Sequence, residues 1–303
     1  MSLKNILSKT LIAFILLTNS SYAVELKQAA TSKVANELNG AKNKAINNVI
    51  SSFENFITES FPRTEISVTG AEELKPQYEI LTVQPLRDDG ENITFFQGSL
   101  LRWDGDRDTI NLGIGQRKFL QNKNIMIGAN AFYDHEFQVD HSRTGLGLEM
   151  ITSVGEARTN RYFANSNNRK NNNRSDAEEV ALDGYDYEIG THAPYIPDWK
   201  FFIKYFSWDK PNTNVDIEGY TYSTEFMTPF GLKLVAGLNK YDNSKDEQAF
   251  FRLVFSSSKT DKNKKIIQAK AYDLKSVEDQ KLTKVRRQNK IINSSFSIKA
   301  GGY

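Results

Sequence analysis

The chain has 303 residues and a formal charge of +2, and none of its apolar tracts approaches the roughly 20 residues of a membrane-spanning helix. Balanced charge argues against a dedicated nucleic-acid binder. Lys and Arg do gather between Lys259 and Arg287, but Asp and Glu are mixed among them, as in a solvated tail or helix face.

Lys4 and Lys9 precede the apolar run Leu11–Leu17, and Ser21-Tyr22-Ala23 supplies small residues at cleavage spacing. Residues 1–23 therefore read as a signal peptide cut after Ala23. An oxidising destination permits disulfides, yet the chain has no cysteine, so its stability must come from size and architecture, as in closed barrels. Across residues 24–63, Val34, Leu38, Ala41, Ala45, Val49, Phe53, Phe56 and Ile57 recur at spacings of three and four, and Pro62 ends the pattern. This predicts a short amphipathic α-helical segment whose apolar stripe needs a cover, either the barrel mouth or a second copy of itself.

From Thr64 the period becomes two. Candidate strands are 64–69, 77–86, 92–103, 108–119, 124–137, 143–153, 156–166, 183–193, 199–207, 216–228, 231–241 and 247–257, with turn residues such as Asp88-Asp89-Gly90 and Pro229-Phe230-Gly231 between them. Twelve antiparallel strands with alternately short and long connections are the pattern of a transmembrane β-barrel, so the predicted fold class is all-β. The longest connection, Ser166 to Asp183, is polar and suits an extracellular rim. Residues 258–303 follow the barrel (64–257) as a linker or tail.

Within these strands, successive side chains point to opposite faces. Ile110, Leu112, Ile114, Leu146 and Leu148 make one apolar face, and lipid or a second sheet must cover it. Opposite them lie Asn111, Gly113 and Gly115, and likewise Gly145, Gly147 and Glu149. Lys200, Lys204 and Arg252 should face a wet lumen, because a charge at mid-bilayer costs about 2–4 kcal/mol. The alternation is imperfect, since Phe202 and Phe206 share the face of Lys204. Aromatics gather where strands end, among them Phe132 and Tyr133, Tyr162 and Phe163, Tyr195 and Trp199, and Tyr220 and Tyr222, as at a membrane–water boundary.

Several of these segments, in order, resemble the β-domain of the intimin/invasin family, the inverse autotransporters. Asn111-Leu-Gly-Ile-Gly-Gln-Arg117 is similar to the family's Asn-Leu-Gly-x-Gly-x-Arg strand. Gly128–Asp134 and Arg143–Glu149 are similar to its Gly-x-Asn-x-Phe-x-Asp and Arg-x-Gly-x-Gly-x-Glu strands. Asp183–Asp186 with Ala193–Pro197, Tyr222–Pro229 and Val285–Ile292 extend the likeness over about 200 residues. The resemblance implies a twelve-stranded barrel in the bacterial outer membrane that acts as secretion pore and anchor. It has Asn111, Gly113, Gly115, Asn130, Arg143, Gly145, Gly147 and Glu149 facing the lumen, and the chain after the last strand passes back through it. No catalytic residue or cofactor is implied. The implied partners are outer-membrane lipid, the barrel-assembly machinery and periplasmic chaperones, with self-association through the N-terminal helix as a further expectation and no nucleic acid. Surface domains in the family are usually immunoglobulin-like, yet after Phe255 fewer than 50 residues remain, against about 100 for such a domain. The expectation is a minimal stand-alone barrel, a short tail as cargo, or a reading frame cut short. The alternative is a stand-alone channel or structural barrel plugged by its own tail.

Other chemistry finds little support. Asp104–Asp108 begins like a calcium loop, but Thr109 and Gly115 stand where Gly and Glu are needed. Asp134, His135, Asp140 and His141 read as rim hydrogen-bonding groups rather than metal ligands. Gly113-Ile-Gly115 and Gly145-Leu-Gly147 lack the third glycine of a dinucleotide site, and no Gly-x-Ser-x-Gly motif occurs, so the chain is expected not to be an enzyme.

Overall fold

The period-two stretch closes on itself as an antiparallel barrel in the computed structural model. The structure describes residues 63–71, 75–166, 169–170, 178–210, 216–228, 231–242, 247–256 and 266–294. The chain divides into two units: residues 1–64 with 257–259, and residues 65–256 with 260–303, which contain the barrel. Apart from Arg63, the predicted signal peptide and amphipathic helix lie outside the described residues.

The strands are β1 (Thr64–Ala71), β2 (Gln77–Asp88), β3 (Asn92–Trp103), β4 (Arg107–Leu120), β5 (Ile125–Glu136), β6 (His141–Thr152), β7 (Gly155–Ala164), β8 (Arg169–Lys170), β9 (Glu178–Glu179), β10 (Gly184–Ala193), β11 (Ile196–Trp208), β12 (Ile217–Met227), β13 (Leu232–Tyr241) and β14 (Glu247–Ser256). Twelve of them form the barrel wall, each pairing with its neighbour in the chain, β7 pairing with β10, and β1 with β14 closing the ring. The pair β8–β9 is a two-residue hairpin inside the connection that the sequence presents as a loop. Closure leaves no strand edge unpaired, which a membrane-spanning sheet requires.

One rim carries only short connections, at 89–91, 121–124, 153–154, 194–195 and 228–231. The opposite rim carries the longer ones, at 165–183, 209–216 and 242–246. On the short-turn rim, the backbone N–H groups of Asn92 and Glu91 donate to Asp89 and hold its carboxyl below the usual carboxylate range. In β2 the register with β3 shifts between Pro85 and Arg87. Pro85 has no N–H to give the ladder, so a bulge there is the expected accommodation.

From Asn111 to Leu120 burial alternates residue by residue, and it does so again from Arg143 to Ile151 with a short half-buried step at Thr144. The interior is not simply polar. Phe95, Phe132, Leu81 and Val83 pack with Val285. Ile93, Phe119, Met126 and Ile151 pack with Val277. Tyr162, Leu182, Phe206, Trp208, Ile217 and Tyr241 pack with Ile292. In each cluster one member comes from the segment that follows the barrel. This explains the broken alternation in β11: Phe202 and Phe206 face inward with Lys204 because there is protein inside to meet them. The aromatics divide the same way. Phe132, Tyr162, Phe206 and Trp208 are buried inside, whereas Tyr133, Tyr187, Tyr195, Trp199, Tyr220 and Tyr222 are exposed on the outside.

Candidate functional site in the barrel lumen

Residues 266–294 first follow the short-turn rim and then rise through the lumen. Gln268 N–H donates to the Tyr195 carbonyl (2.8 Å) and Val277 N–H to the Lys123 carbonyl (2.9 Å). Between them, the Ser153 hydroxyl donates to the Asp273 carbonyl at 2.8 Å. The segment thus ties down three successive short turns. Gln121, Asn122 and Lys123 hold left-handed φ values of 49, 56 and 65°, and this turn presents the carbonyl that takes Val277. A single 3₁₀ turn, Glu278–Gln280, redirects the chain inward.

The ascending segment 281–294 carries Lys281, Lys284, Arg286, Arg287 and Lys290 and no acidic residue. The wall meets four of these cations with carboxylates and Lys290 with the Trp103 ring. Lys281 pairs with Asp88 at 2.8 Å and Lys284 with Glu65 at 2.8 Å. Arg286 lies 3.8 Å over the Phe202 ring and pairs with Glu188 and Glu225. Arg287 meets both oxygens of Asp134, at 2.8 and 2.7 Å. Asn289 donates to Glu79.

Asp134 is the hub. Its side chain is fully buried, and Arg143 approaches the same carboxylate from the wall, with Nε at 2.9 Å. The Asn111 amide donates to Asp134 Oδ1 at 2.7 Å and to the Asn289 carbonyl at 2.9 Å, and accepts from the Ser99 hydroxyl. Arg143 also donates to the carbonyls of Gln288 and Lys290 and stacks 4.5 Å over Tyr162. The Tyr162 hydroxyl donates to Asp186 and accepts from Gln288 N–H, both at 2.7 Å. Lower in the lumen, Arg117 donates to the carbonyls of Lys281 (2.9 Å) and Thr283 (2.7 Å) and is held by Glu149 at 2.6 Å. Gln97 accepts from Val285 N–H at 2.7 Å. A carboxylate between two guanidinium groups, with backbone donors and acceptors filled around it, is the arrangement in which buried charge is tolerated.

The eight residues the sequence assigns to the inner face are all buried. Asn111 and Arg143 touch the tail directly, and Glu149 touches it through Arg117. The glycines make room. A Cβ at Gly145 would lie 2.9 Å from Arg287 Nη2, and one at Gly147 would lie 2.6 Å from the amide oxygens of Asn130 and Asn160. At Gly113 and Gly115 it would strike the rings of Phe132 and Phe95. Outside, Leu112, Ile114, Leu146 and Leu148 are exposed and Ile110 is half-buried. The metal-like quartet does not assemble, because Asp134 and His141 are buried while His135 and Asp140 form a loose pair at 3.9 Å. No group of three potential metal ligands occurs among the described residues. Sequence reasoning gave Asp134 a hydrogen-bonding role at the rim, whereas it binds Arg287 of the tail inside the lumen, and it singled out neither Arg117 within its motif nor Glu79 and Glu225. An inward acidic residue at a strand centre was the available signal.

At the opposite rim the tail meets the β7–β10 connection. Leu182 N–H donates to the Ile292 carbonyl and Ser294 N–H to the Val180 carbonyl, both at 2.8 Å. Asn293 also donates to Glu179, which pairs with Arg107. Beside the tail, a cavity of about 100 Å³ remains, lined by Glu79, Lys204, Glu225 and Arg252 among others.

The family model of the inverse autotransporter β-domain matches residues 10–289. The chain belongs to the inverse autotransporter β-domain family. Intimin of Escherichia coli O127:H6 (strain E2348/69 / EPEC) is 33% identical over 109 residues, 36% of this chain and 11% of that protein. The putative attaching and effacing protein homolog of Escherichia coli K12 is 33% identical over 115 residues, 38% of this chain and 37% of that one. The chain thus matches only a minor part of the length of these curated relatives. A solved structure from work on the in-meso crystallization of membrane proteins superposes with a TM-score of 0.61 at 20% identity, covering 76% of this chain and 98% of that one. This inverse autotransporter barrel is a bacterial outer-membrane protein, and its surroundings are membrane lipid.

Proposed function

We propose that this barrel is a translocator and anchor, exporting and displaying the chain that follows its lumenal segment. The observation that carries the reading is the path of residues 266–294, bound to the short-turn rim, neutralised through the lumen and clasped at the long-loop rim. The short-turn rim is the periplasmic side and the long-loop rim the outside, as the connection lengths of outer-membrane barrels suggest. Ile110, Leu112, Ile114, Leu146 and Leu148 face lipid. Asn111, Gly113, Gly115, Asn130, Arg143, Gly145, Gly147 and Glu149 line the path. Residues 24–63 serve the periplasmic side, and the barrel-assembly machinery and periplasmic chaperones deliver the chain. No catalytic role is proposed.

An epitope fused after Tyr303 tests this on intact cells. The expected result is a tag reached by antibody and lost to added protease. A tag reached only after the outer membrane is opened overturns it. The cavity beside the tail favours a second reading, a plugged channel, for which deleting 281–303 would raise conductance in planar bilayers well above that of the full chain.

A further inference from the structure

The contacts that hold the tail fall into two chemical kinds, and the division follows position. From Lys281 to Asn289, the wall holds the tail with side chains: Glu188 and Glu225 take Arg286, Asp134 takes Arg287 and Glu79 takes Asn289, while Arg117, Gln97, Arg143 and Tyr162 bond to the tail's main chain. At the exit the bond type changes. Ala181 stands opposite Asn293 in an isolated antiparallel bridge, flanked by Leu182 N–H to the Ile292 carbonyl and Ser294 N–H to the Val180 carbonyl. Those two bonds are main chain to main chain. The strip that makes them is itself firmly held. Glu179 accepts from Arg107 at 2.9 Å, and the Leu182 side chain lies in the cluster of Tyr162, Phe206 and Trp208. Ala181 and Leu182 are 3% and 1% exposed, so this part of the connection is built into the barrel mouth rather than draped over it.

A short, anchored strip offering backbone groups to an extended partner is the geometry of β-strand addition, whose affinity comes from the main chain and tolerates varied side chains. We infer that residues 180–182 are a general exit strip, pairing by backbone with whatever extended polypeptide leaves the lumen, and that Ile292–Ser294 are its resting occupant. The inference rests on the export reading and adds a recognition step to it. Sequence-specific contacts inside set the final register, while a sequence-tolerant ladder at the mouth keeps the emerging chain extended. Strand pairing has a two-residue repeat, so the strip accepts a chain displaced by two residues without turning its side chains over.

Disulfide trapping on the full chain tests this, helped by the absence of native cysteine. Ala181 and Asn293 form a pair without mutual hydrogen bonds, in which Cα atoms lie about 4.5 Å apart, within disulfide reach. The variant A181C/N293C is therefore expected to crosslink in outer membranes. Two residues are then inserted between Asn289 and Lys290. An exit strip predicts that the crosslink moves, so that A181C/I291C forms it and A181C/N293C does not. A crosslink that stays at position 293, or appears at neither position while the barrel keeps its heat-modifiable gel migration, overturns the inference. A tag after Tyr303 is followed in the same cells. Loss of the crosslink with the tag still outside sinks the strip alone, whereas a tag kept inside in the unmodified chain sinks the export reading and the exit role with it.

Discussion

At the scale of single residues, Asp134 decides whether the tail can stay. It is the shared counter-ion of a wall guanidinium, Arg143, and a tail guanidinium, Arg287, and all three side chains are essentially excluded from solvent. Removing one partner of such a buried pair costs about 3–5 kcal/mol, because the remaining charge is left uncompensated. Asp134→Asn is therefore expected to release the tail before it unfolds the wall, since Arg143 can still stack on the Tyr162 ring but Arg287 loses the carboxylate it pairs with. Limited trypsinolysis of the folded, heat-modifiable form should cut at Arg286 or Arg287 in the variant and leave the parent intact. The glycines offer a paired contrast. Gly145→Leu occupies the space of the Arg287 guanidinium and should leave a folded barrel with an unseated tail. Gly113→Leu strikes the Phe132 ring instead and should lower the folded fraction itself. Equal folding losses in both variants would show that the tail is part of the wall's stability rather than its cargo.

At the scale of the element, each strand is a boundary between two solvents. Leu148 is 60% exposed on the outside of β6, midway along a face with Leu146 and Met150. Leu148→Arg is expected to cost about 2–4 kcal/mol in denaturant unfolding from lipid vesicles. A Gly147 neighbour on the inner face makes a charge there a steric matter instead. The strands were largely legible because one side needs lipid and the other does not, and that demand writes itself into the sequence with period two. β4 and β6 show it most clearly. Where a third environment intrudes, the code blurs. Phe202, Phe206 and Trp208 turn inward to meet Arg286 and Ile292, partners that lie more than 80 residues away in the chain and leave no local signal. The hairpin of β8 and β9 was illegible for another reason, since two-residue strands have no period to read. β11 begins at Ile196, ahead of the predicted start, because Pro197 looks like a stop although the first residues of a strand can accept proline.

At the scale of the whole molecule, the wall is assembled from neighbours in sequence, and only the β1–β14 seam joins residues far apart, as in Ile66 with Phe255. The tail then adds a second set of distant contacts: the apolar anchors Val277, Val285 and Ile292, and the ion pairs of Arg286 and Arg287, which are buried and therefore weakly screened by salt. Export in full chains should thus be insensitive to moderate ionic strength once the tail is seated. Washing membranes in high salt and repeating the protease test on tail residues checks this, and salt-induced cleavage would mean that the charges are wetter than their burial indicates. The family model takes in the lumenal segment as far as Asn289 as well as the barrel wall, whereas the matched part of intimin is 11% of that protein.

The three tryptophans give the molecule an optical readout of its own state. Trp103 lies beneath the Lys290 ammonium at 4.2 Å and the Arg107 guanidinium at 4.5 Å, and Trp208 shares its cluster with Ile292. Trp199 sits outside, its indole N–H bonded to Thr224. Departure of the tail would wet the first two indoles and leave the third in place, so intrinsic emission should shift to longer wavelength without any label. Bromide or acrylamide added to the aqueous phase should quench only the newly opened pair. Occupancy of the lumen can then be followed in real time, in unmodified protein, by light alone.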